Sequence, residues 1–224
     1  MHIKVRMDCN DFKSLLKISS EIINELEPIN FKGNITVISS KSELPTVYDI
    51  IKKAKRIGFD TESRPSFKKG QEFPVSIIQL SLEDEAYIFK LKSLGFCDEL
   101  KDILSDENIE KIGVGVKEDI RRLKKLGDFN PANFIDLAEI AKKKGLIQCG
   151  LKALTARYLC KKLVKSSQTT NWAKNSLTCM QLTYAATDAW ICLQLLEPLT
   201  LDDTDYFHLR KLEEEAIKDK ENNI

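Results

Sequence analysis

Residues 56–62 read Arg-Ile-Gly-Phe-Asp-Thr-Glu. This pattern predicts a β-strand, because side chains at every second position of a strand lie on the same face. Ile57 and Phe59 would face the core, whereas Asp60 and Glu62 would share the opposite face. Two carboxylates therefore project together from the end of one predicted strand.

The paired carboxylates have two interpretations. Like charges side by side are unfavourable unless a cation lies between them, and hard divalent cations prefer oxygen ligands. A metal site is therefore one interpretation of the pair. The alternative is that Asp60 and Glu62 simply end the strand in solvent, since short motifs often match by accident.

A long helix, predicted to run from Thr178 to about Pro198, carries a second polar group. Tyr184 and Asp188 are four residues apart and therefore lie one turn apart on the same helix face. Asp188 interrupts an otherwise apolar stretch, where a charge needs a partner. The phenol also fits the simpler interpretation of a buried tyrosine whose hydroxyl finds a hydrogen-bond partner.

A further acid, Asp119, follows residues 111–116, where alternating valines and glycines predict a strand with room beside it for a helix or a substrate. The glycines do not form a phosphate-binding loop, because no Gly-Lys-Ser/Thr follows and the spacing is not GxGxxG. Taken alone, Asp119 fits an exposed acid in the first turn of a helix, where the helix dipole favours it.

The rest of the chain alternates between strand-like and helix-like runs, which predicts a single-domain α/β fold. The predicted strands cover 35–39, 56–62, 75–82, 86–91 and 111–116, and the predicted helices cover 11–26, 45–55, 97–104, 136–144 and 178–198. Three strands in close succession indicate an antiparallel meander. We expect a helical extension at 1–34, the main domain at 35–199 and an acidic tail at 200–224.

Composition limits the class of protein. With 224 residues, 42% hydrophobic and 31% charged, the chain can bury one sizeable core, which excludes a disordered protein. The net charge is +1, but eight acidic and four basic residues from 201 onward give the tail −4 and leave the remainder with +5. The main body is therefore mildly basic, without a strong global field for polyanions.

Histidines and cysteines limit the chemistry and the compartment. His2 and His208 are the only histidines, which excludes Ser-His-Asp triads and His-ligated zinc sites. The six cysteines show no CxxC spacing and are expected to be reduced. With no stretch typical of a signal peptide or a membrane span, we expect an intracellular, soluble protein without a membrane partner. The cytoplasm is the predicted compartment, with the nucleus as the alternative in a eukaryote.

Three short motifs are each weak signals alone, but their order and spacing along the chain make them specific together. They are Phe59-Asp60-Thr61-Glu62 with Ile78-Gln79-Leu80 downstream, Val114-Gly115-Val116-Lys117-Glu118-Asp119, and Tyr184-Ala185-Ala186-Thr187-Asp188-Ala189. Together they resemble the DEDD superfamily of 3′-to-5′ exonucleases, in the tyrosine-bearing subgroup that includes ribonuclease D and the Werner-type exonuclease domain. The sequence departs from the family at Cys160, Thr170 and Ser176, where glycine, serine and proline are more frequent.

The resemblance implies a ribonuclease-H-like mixed sheet flanked by helices. It also implies a metal-dependent 3′-to-5′ exonuclease that releases 5′-mononucleotides by two-metal-ion phosphodiester hydrolysis. Asp60, Glu62 and Asp188 would hold one divalent cation, and Asp60 with Asp119 a second, each Mg²⁺ or Mn²⁺. Tyr184 would aim a water acidified by the metal, because its ordinary pKa near 10 is too high for an unaided base.

The substrate implied by the resemblance is a nucleic acid with a free 3′ end, with DNA slightly favoured over RNA and DNA repair as a role. Arg64, Phe67 and Lys68 follow the first acidic strand, and Lys165 and Trp172 precede the long helix. Basic groups near aromatic rings suit a single strand, so these five are the predicted substrate contacts. The alternative is that the lysines are ordinary surface and Trp172 is core.

A rival function is a catalytically silent adaptor that binds nucleic acid or protein on the same fold. Such a protein would be expected to lack at least one acidic ligand, and none is missing here. A phosphotransferase with a P-loop is excluded, because the chain has no such loop. The sequence does not indicate which proteins, if any, are partners.

Overall fold

The computed structural model describes residues 9–66, 68, 70–164 and 169–222. The strands, in chain order, are β1 (Glu27–Pro28), β2 (Asn34–Ile38), β3 (Arg56–Ser63), β4 (Val75–Ser81), β5 (Glu85–Lys90), β6 (Glu110–Gly113), β7 (Phe134–Asp136) and β8 (Lys161–Lys162). β1 and β8 pair with each other, and the other six strands form one sheet in the order β2-β5-β4-β3-β6-β7.

The main sheet is mixed. β3, β4 and β5 pair in antiparallel fashion, whereas β2 joins β5, β6 joins β3 and β7 joins β6 in parallel. The predicted antiparallel meander is therefore present, with parallel strands added at both of its edges. Asp60 pairs with Gln79 across β3 and β4, so these two side chains share one face of the sheet.

Helices cover both faces of the sheet. They are α1 (Cys9–Lys13), α2 (Ser20–Glu25), α3 (Leu44–Ile51), α4 (Leu91–Leu94), α5 (Asp98–Ser105), α6 (Val116–Lys124), α7 (Leu137–Lys143), α8 (Leu151–Leu159), α9 (Cys179–Leu201) and α10 (Tyr206–Asn222), with a 3₁₀ turn at Lys41–Glu43. Apolar residues of α3, α5 and α6 pack with Ile57 and Phe59 on one face. α9 packs on the other face, against Ile77 and Ile88. The predicted mixed sheet flanked by helices is confirmed. Within the described ranges, no helix combines the length and apolar character needed to cross a bilayer.

Side-chain caps fix the starts of two helices as the sequence predicts. Thr178 accepts a hydrogen bond from the backbone N–H of Gln181, whose side chain bonds back to the cap residue, so α9 begins with a capping box. Asp136 accepts from the N–H of Ala138 at 2.9 Å and begins α7. α9 continues to Leu201, beyond the predicted end.

The N-terminal helix predicted over 11–26 is wrong as a single element, because the structure divides it into α1 and α2. Ser19 starts α2 by accepting a hydrogen bond from the N–H of Ile22. Between the two helices, the buried Arg157 guanidinium donates to the carbonyls of Phe12 and Leu15, each at 2.6 Å. These tertiary contacts stabilise an irregular segment that helical spacing alone did not reveal.

The strand predicted to reach residue 116 ends earlier. β6 ends at Gly113, and Gly115 adopts a left-handed conformation with φ of 77° that starts α6. Glycine reaches this conformation without steric cost. Val116 therefore belongs to α6, and Asp119 lies in the first turn of that helix, where it is half-buried and not exposed.

Among the cysteines whose side chains the structure describes, Cys160 differs from the expectation. Cys97, Cys149, Cys179 and Cys192 have free thiols, whereas Cys160 is disulfide-bonded. Cys160 also adopts φ of 51° directly after α8, a left-handed conformation at which glycine is common. The expectation that every cysteine is reduced is therefore wrong for Cys160.

Gly58 allows α9 to approach β3 closely. A Cβ atom on Gly58 would lie only 2.0 Å from the backbone oxygen of Ala189. Gly58 shares the face of β3 that carries Asp60, and Ala189 directly follows Asp188. The missing side chain therefore lets the helix that carries Asp188 lie against the strand that carries Asp60.

Gly58→Ala is expected to destabilise the protein by about 1–3 kcal/mol, because the added methyl must push α9 away from the sheet. Thermal unfolding should detect this as a loss of roughly 2–12 °C in Tm. Gly150→Ala is the matched control, since a Cβ at Gly150 would meet no atom within 4 Å. An equal loss of Tm in both variants would contradict the close approach.

Candidate active site

Three carboxylates from two elements converge at the end of β3. Asp60 and Glu62 are on β3, Asp188 is on α9, and one oxygen from each side chain lies within 4.8 Å of the others. Asp60 and Glu62 are half-buried and Asp188 is buried. The structure therefore brings together three of the four predicted acids, whose roles as ligands stay predictions.

Asp119 lies beside this group but makes a different contact. Its carboxylate accepts a hydrogen bond of 2.5 Å from the hydroxyl of Thr61, which is on β3 between the two acids. Its negative charge contributes to raising the pKa of Asp60 and of Glu62. Asp119 is thus an electrostatic neighbour of the three-acid cluster and is tethered through Thr61.

The acids strongly perturb one another. Burial, followed by the negative charges of Asp119, Asp188 and Glu62, raises the pKa of Asp60 well above its ordinary value. Burial and the charges of Asp188 and Asp119 raise the pKa of Glu62 to about 8. Burial raises the pKa of Asp119 to about 6, although its bond from Thr61 opposes the rise. Burial and mutual repulsion therefore favour the protonated forms of Asp60 and Glu62 when no cation is bound.

Arg122 is a charged neighbour that the sequence analysis missed. Its guanidinium donates to the hydroxyl of Ser63 at 2.5 Å and to the carbonyl of Phe73 at 3.1 Å. Its positive charge lowers the pKa of Glu62 and of Asp119, which partly offsets the effect of burial. The sequence could have predicted this neighbour, because Arg122 follows Asp119 by three residues and therefore lies on the same helix face.

Tyr184 faces the same carboxylates from α9. Burial, the charges of Asp188 and Glu62, and a hydrogen bond with Asp188 together raise the pKa of Tyr184 above its ordinary value. The phenol therefore stays protonated at neutral pH. The ring centroids of Tyr184 and Trp172 are 5.9 Å apart, so the indole packs beside the phenol.

The structure places the predicted substrate contacts in different environments. Trp172 is only 1% exposed and belongs to the core beside α9, so it has no free face on which a base could stack. Its assignment as a substrate contact is therefore corrected to core packing. Arg64 is exposed and lies over the ring of Phe73, at 4.6 Å from the centroid, and Lys68 is exposed in the same loop. The other two predicted contacts, Phe67 and Lys165, lie outside the described residues.

The cluster opens into a cavity of about 240 Å³. The lining residues are Asp60, Thr61, Glu62, Val114, Leu151, Tyr184, Asp188 and Cys192. The donor set fits a hard divalent cation, because carboxylate oxygens are the ligands that Mg²⁺ and Mn²⁺ prefer. A bound cation would also offset the mutual repulsion that raises the pKa values of these acids.

Comparison with known proteins defines the class. A model of the 3′-5′ exonuclease family matches residues 35–202. The chain therefore belongs to the 3′-5′ exonuclease family, within the DEDD superfamily. Membership of the tyrosine-bearing subgroup stays a prediction that rests on Tyr184.

Particular relatives support this assignment. The chain is 36% identical over 168 residues to the mouse bifunctional 3′-5′ exonuclease/ATP-dependent helicase WRN, a match that covers 70% of this chain and 12% of that protein. It is 32% identical over 152 residues to an Arabidopsis thaliana 3′-5′ exonuclease, covering 64% of this chain and 52% of the other. The chain thus spans about half or less of these relatives.

A solved structure supports the fold. Trypanosoma brucei RNase D in complex with RNA U12 superposes with a TM-score of 0.69 at 19% identity, covering 84% of this chain and 70% of that one. At this identity the similarity shows the fold alone. The mixed sheet with helices on both faces is the fold of the RNase D exonucleases.

Proposed function

We propose that the protein is a metal-dependent 3′-to-5′ exonuclease that removes 5′-mononucleotides from a nucleic acid. The observation that carries the proposal is the cluster of Asp60, Glu62 and Asp188 in one cavity, with Asp119 and Tyr184 beside it. A silent adaptor has no need to maintain a cluster of half-buried and buried acids at the cost of mutual repulsion. No observation favours that alternative.

Asp60, Glu62 and Asp188 are proposed to hold one divalent cation, and Asp60 with Asp119 a second. Two such ions would stabilise the attacking and leaving oxygens of an in-line phosphoryl displacement. The fold positions the three carboxylates. β3 supplies two of them, and the contact of α9 with Gly58 holds the third beside them. Thr61 keeps Asp119 from swinging away from the cluster.

Tyr184 is proposed to orient the attacking water. Its raised pKa keeps the hydroxyl protonated, so it acts as a hydrogen-bonding group and not as a base. Packing against Trp172 restricts the ring, and the bond with Asp188 fixes the direction of the hydroxyl. Trp172 therefore acts on the reaction through Tyr184.

Tyr184→Phe is expected to lower kcat by about 10- to 100-fold, because it removes one oriented hydrogen bond to the reacting water. KM should change by less than about twofold, since the ring and its packing remain. Steady-state kinetics on a labelled oligomer separates the two constants. A rise in KM as large as the fall in kcat would assign Tyr184 to binding or structure.

The proposed substrate is a nucleic acid with a free 3′ end, with DNA slightly favoured over RNA. RNA is the ligand in the structure of Trypanosoma brucei RNase D with RNA U12, so the same fold can bind an RNA strand. Chemistry at the phosphodiester does not distinguish the sugars, and a 2′-hydroxyl must be recognised by other groups. DNA repair is the proposed role if DNA is preferred.

Matched DNA and RNA oligomers, labelled at the 5′ end, provide the test. With Mg²⁺ or Mn²⁺ we expect a ladder that shortens stepwise from the 3′ end, with DNA degraded slightly faster. An excess of chelator should abolish it. Degradation that persists without metal, or products of internal cleavage only, would refute the proposal.

A further inference from the structure

Gln79 is a buried polar side chain that packing alone does not explain. It lies on β4 and is only 1% exposed. Among the residues that the structure describes, neither its amide nitrogen nor its amide oxygen has a hydrogen-bond partner. Buried amides are nearly always hydrogen-bonded, because an unpaired one gives up its bonds to water without replacement. The unpaired amide therefore indicates that Gln79 has a partner in another state of the protein.

The sheet places Gln79 directly beside Asp60. The two residues are partners in the pairing of β3 with β4, so their side chains share a face, with Cβ atoms about 4.5–5.5 Å apart. The partner of Gln79 on the other side, in β5, is the apolar Ile88. Ile77, two residues before Gln79 on the same face, packs with Ile88 in one apolar cluster. Asp60 is thus the charged neighbour that the sheet provides for the amide.

We propose that Gln79 is a positioning residue for Asp60. Its amide N–H donates to the Asp60 carboxylate, directly or through one buried water, and fixes the orientation of that carboxylate as a cation ligand. The inference rests on the proposed function, in which Asp60 is shared by both cation sites. An ionised carboxylate has about four lone-pair sites, so it can bind cations and still accept this bond. Groups that hydrogen-bond a ligating carboxylate orient it and raise the affinity of the site.

The surroundings of Gln79 favour this role over a structural one. α9 covers this face of the sheet, and its Ala185 packs with Ile77 and Ile88. Under such a cover a hydrogen bond is stronger than in water and can hold a side chain in one orientation. A residue that only filled space here would be apolar like its neighbours, because an unpaired amide weakens the fold. Positioning of Asp60 therefore accounts for a polar side chain at this point.

Ser81 offers a matched comparison on the same strand. It is 0% exposed and lies on the same face as Gln79, two residues further along. Its hydroxyl oxygen likewise has no hydrogen-bond partner within the described ranges. The residue opposite Ser81 on β3 is Gly58, not an acid. Ser81→Ala therefore removes a similarly buried and unpaired polar group at a position that does not face a cation ligand.

Gln79→Met separates stability from cation affinity. Methionine fills irregular apolar space and has no amide that needs a partner, so we expect a metal-free Tm at or above that of wild type. The calorimetric Kd for Mn²⁺ should nevertheless rise by about tenfold or more, because the carboxylate ligand loses the group that orients it. Ser81→Ala should keep the Kd for Mn²⁺ within about twofold of wild type. An equally small change in Gln79→Met would overturn the proposal.

Kinetics provide a second readout. At limiting Mn²⁺, Gln79→Met should lower kcat on an oligomer by about tenfold, and raising the concentration of Mn²⁺ should restore most of the loss. KM for the oligomer should change by less than about twofold, since the strand does not contact the amide. A loss that saturating Mn²⁺ leaves unchanged and that Ser81→Ala shows equally would assign Gln79 to general packing.

A crystal of the wild-type protein grown with Mn²⁺ gives a readout that needs no variant. We expect the amide nitrogen of Gln79 at about 2.7–3.2 Å from an Asp60 oxygen, or both atoms at that distance from one shared water. A well-defined amide that points away from Asp60 would overturn the proposal. A wild-type protein that binds no Mn²⁺ and degrades no oligomer would instead refute the proposed function, so the two failures are distinguishable.

Discussion

Asp60→Asn is expected to lower the rate of nucleotide release by about 1,000-fold or more. In a set of residues that act as one catalytic unit, removing one member costs nearly as much activity as removing all of them. Asp60 is shared by both proposed cation sites and lies within 4.8 Å of both neighbouring acids. Asparagine keeps the shape of the side chain but removes its charge. Initial rates on a labelled oligomer at saturating Mn²⁺ measure the loss.

The same substitution should not unfold the protein. Burial and neighbouring negative charges raise the pKa of Asp60, so the charged form is disfavoured in the metal-free fold. A neutral amide removes that repulsion, and we expect a metal-free Tm at or above wild type at pH about 8. Asp98→Asn is the control, with a side chain that is 95% exposed. Full activity of Asp60→Asn, or its unfolding, would contradict the account.

Divalent cations are expected to stabilise the protein far more at pH about 8 than at pH about 5.5. The folded pKa of Glu62, about 8, lies above its ordinary value, so the metal-free fold binds a proton that the unfolded chain does not. This bound proton stabilises the metal-free fold. The stabilisation is fully present below the ordinary pKa of 4.5 and is lost as the pH rises through about 8. A cation replaces the proton, so its stabilising effect grows over the same interval.

Two measurements test this linkage. The rise in Tm on adding Mn²⁺ should increase steadily from pH about 5.5 to 8. Calorimetry at neutral pH in buffers of different ionisation enthalpy should show that cation uptake releases about one proton or more. A rise in Tm that is independent of pH, with no proton release, would show that these carboxylates are already ionised or do not bind the cation.

The sequence predicts those parts of the site that depend on short-range periodicity. Alternation along β3 places Asp60 and Glu62 on one face, and the four-residue spacing on α9 places Tyr184 near Asp188. The order of the sheet and the position of Asp119 depend on tertiary packing. Thr61 binds Asp119 across elements 58 residues apart in the chain, and no local pattern marks such a contact.

Short elements were missed for a related reason. β7 has only three residues, and α8 ends in the left-handed Cys160 where no glycine signals the end of a helix. The N-terminal break depends on Arg157, more than 140 positions away from the carbonyls that it binds.

The central claim is that Asp60, Glu62 and Asp188 together hold a divalent cation. Anomalous diffraction from a crystal of the wild-type protein grown with Mn²⁺ tests it most directly. The account predicts an anomalous peak at about 2.0–2.4 Å from an oxygen of each of the three carboxylates. A well-ordered crystal with saturating Mn²⁺ and no peak among those oxygens would contradict it.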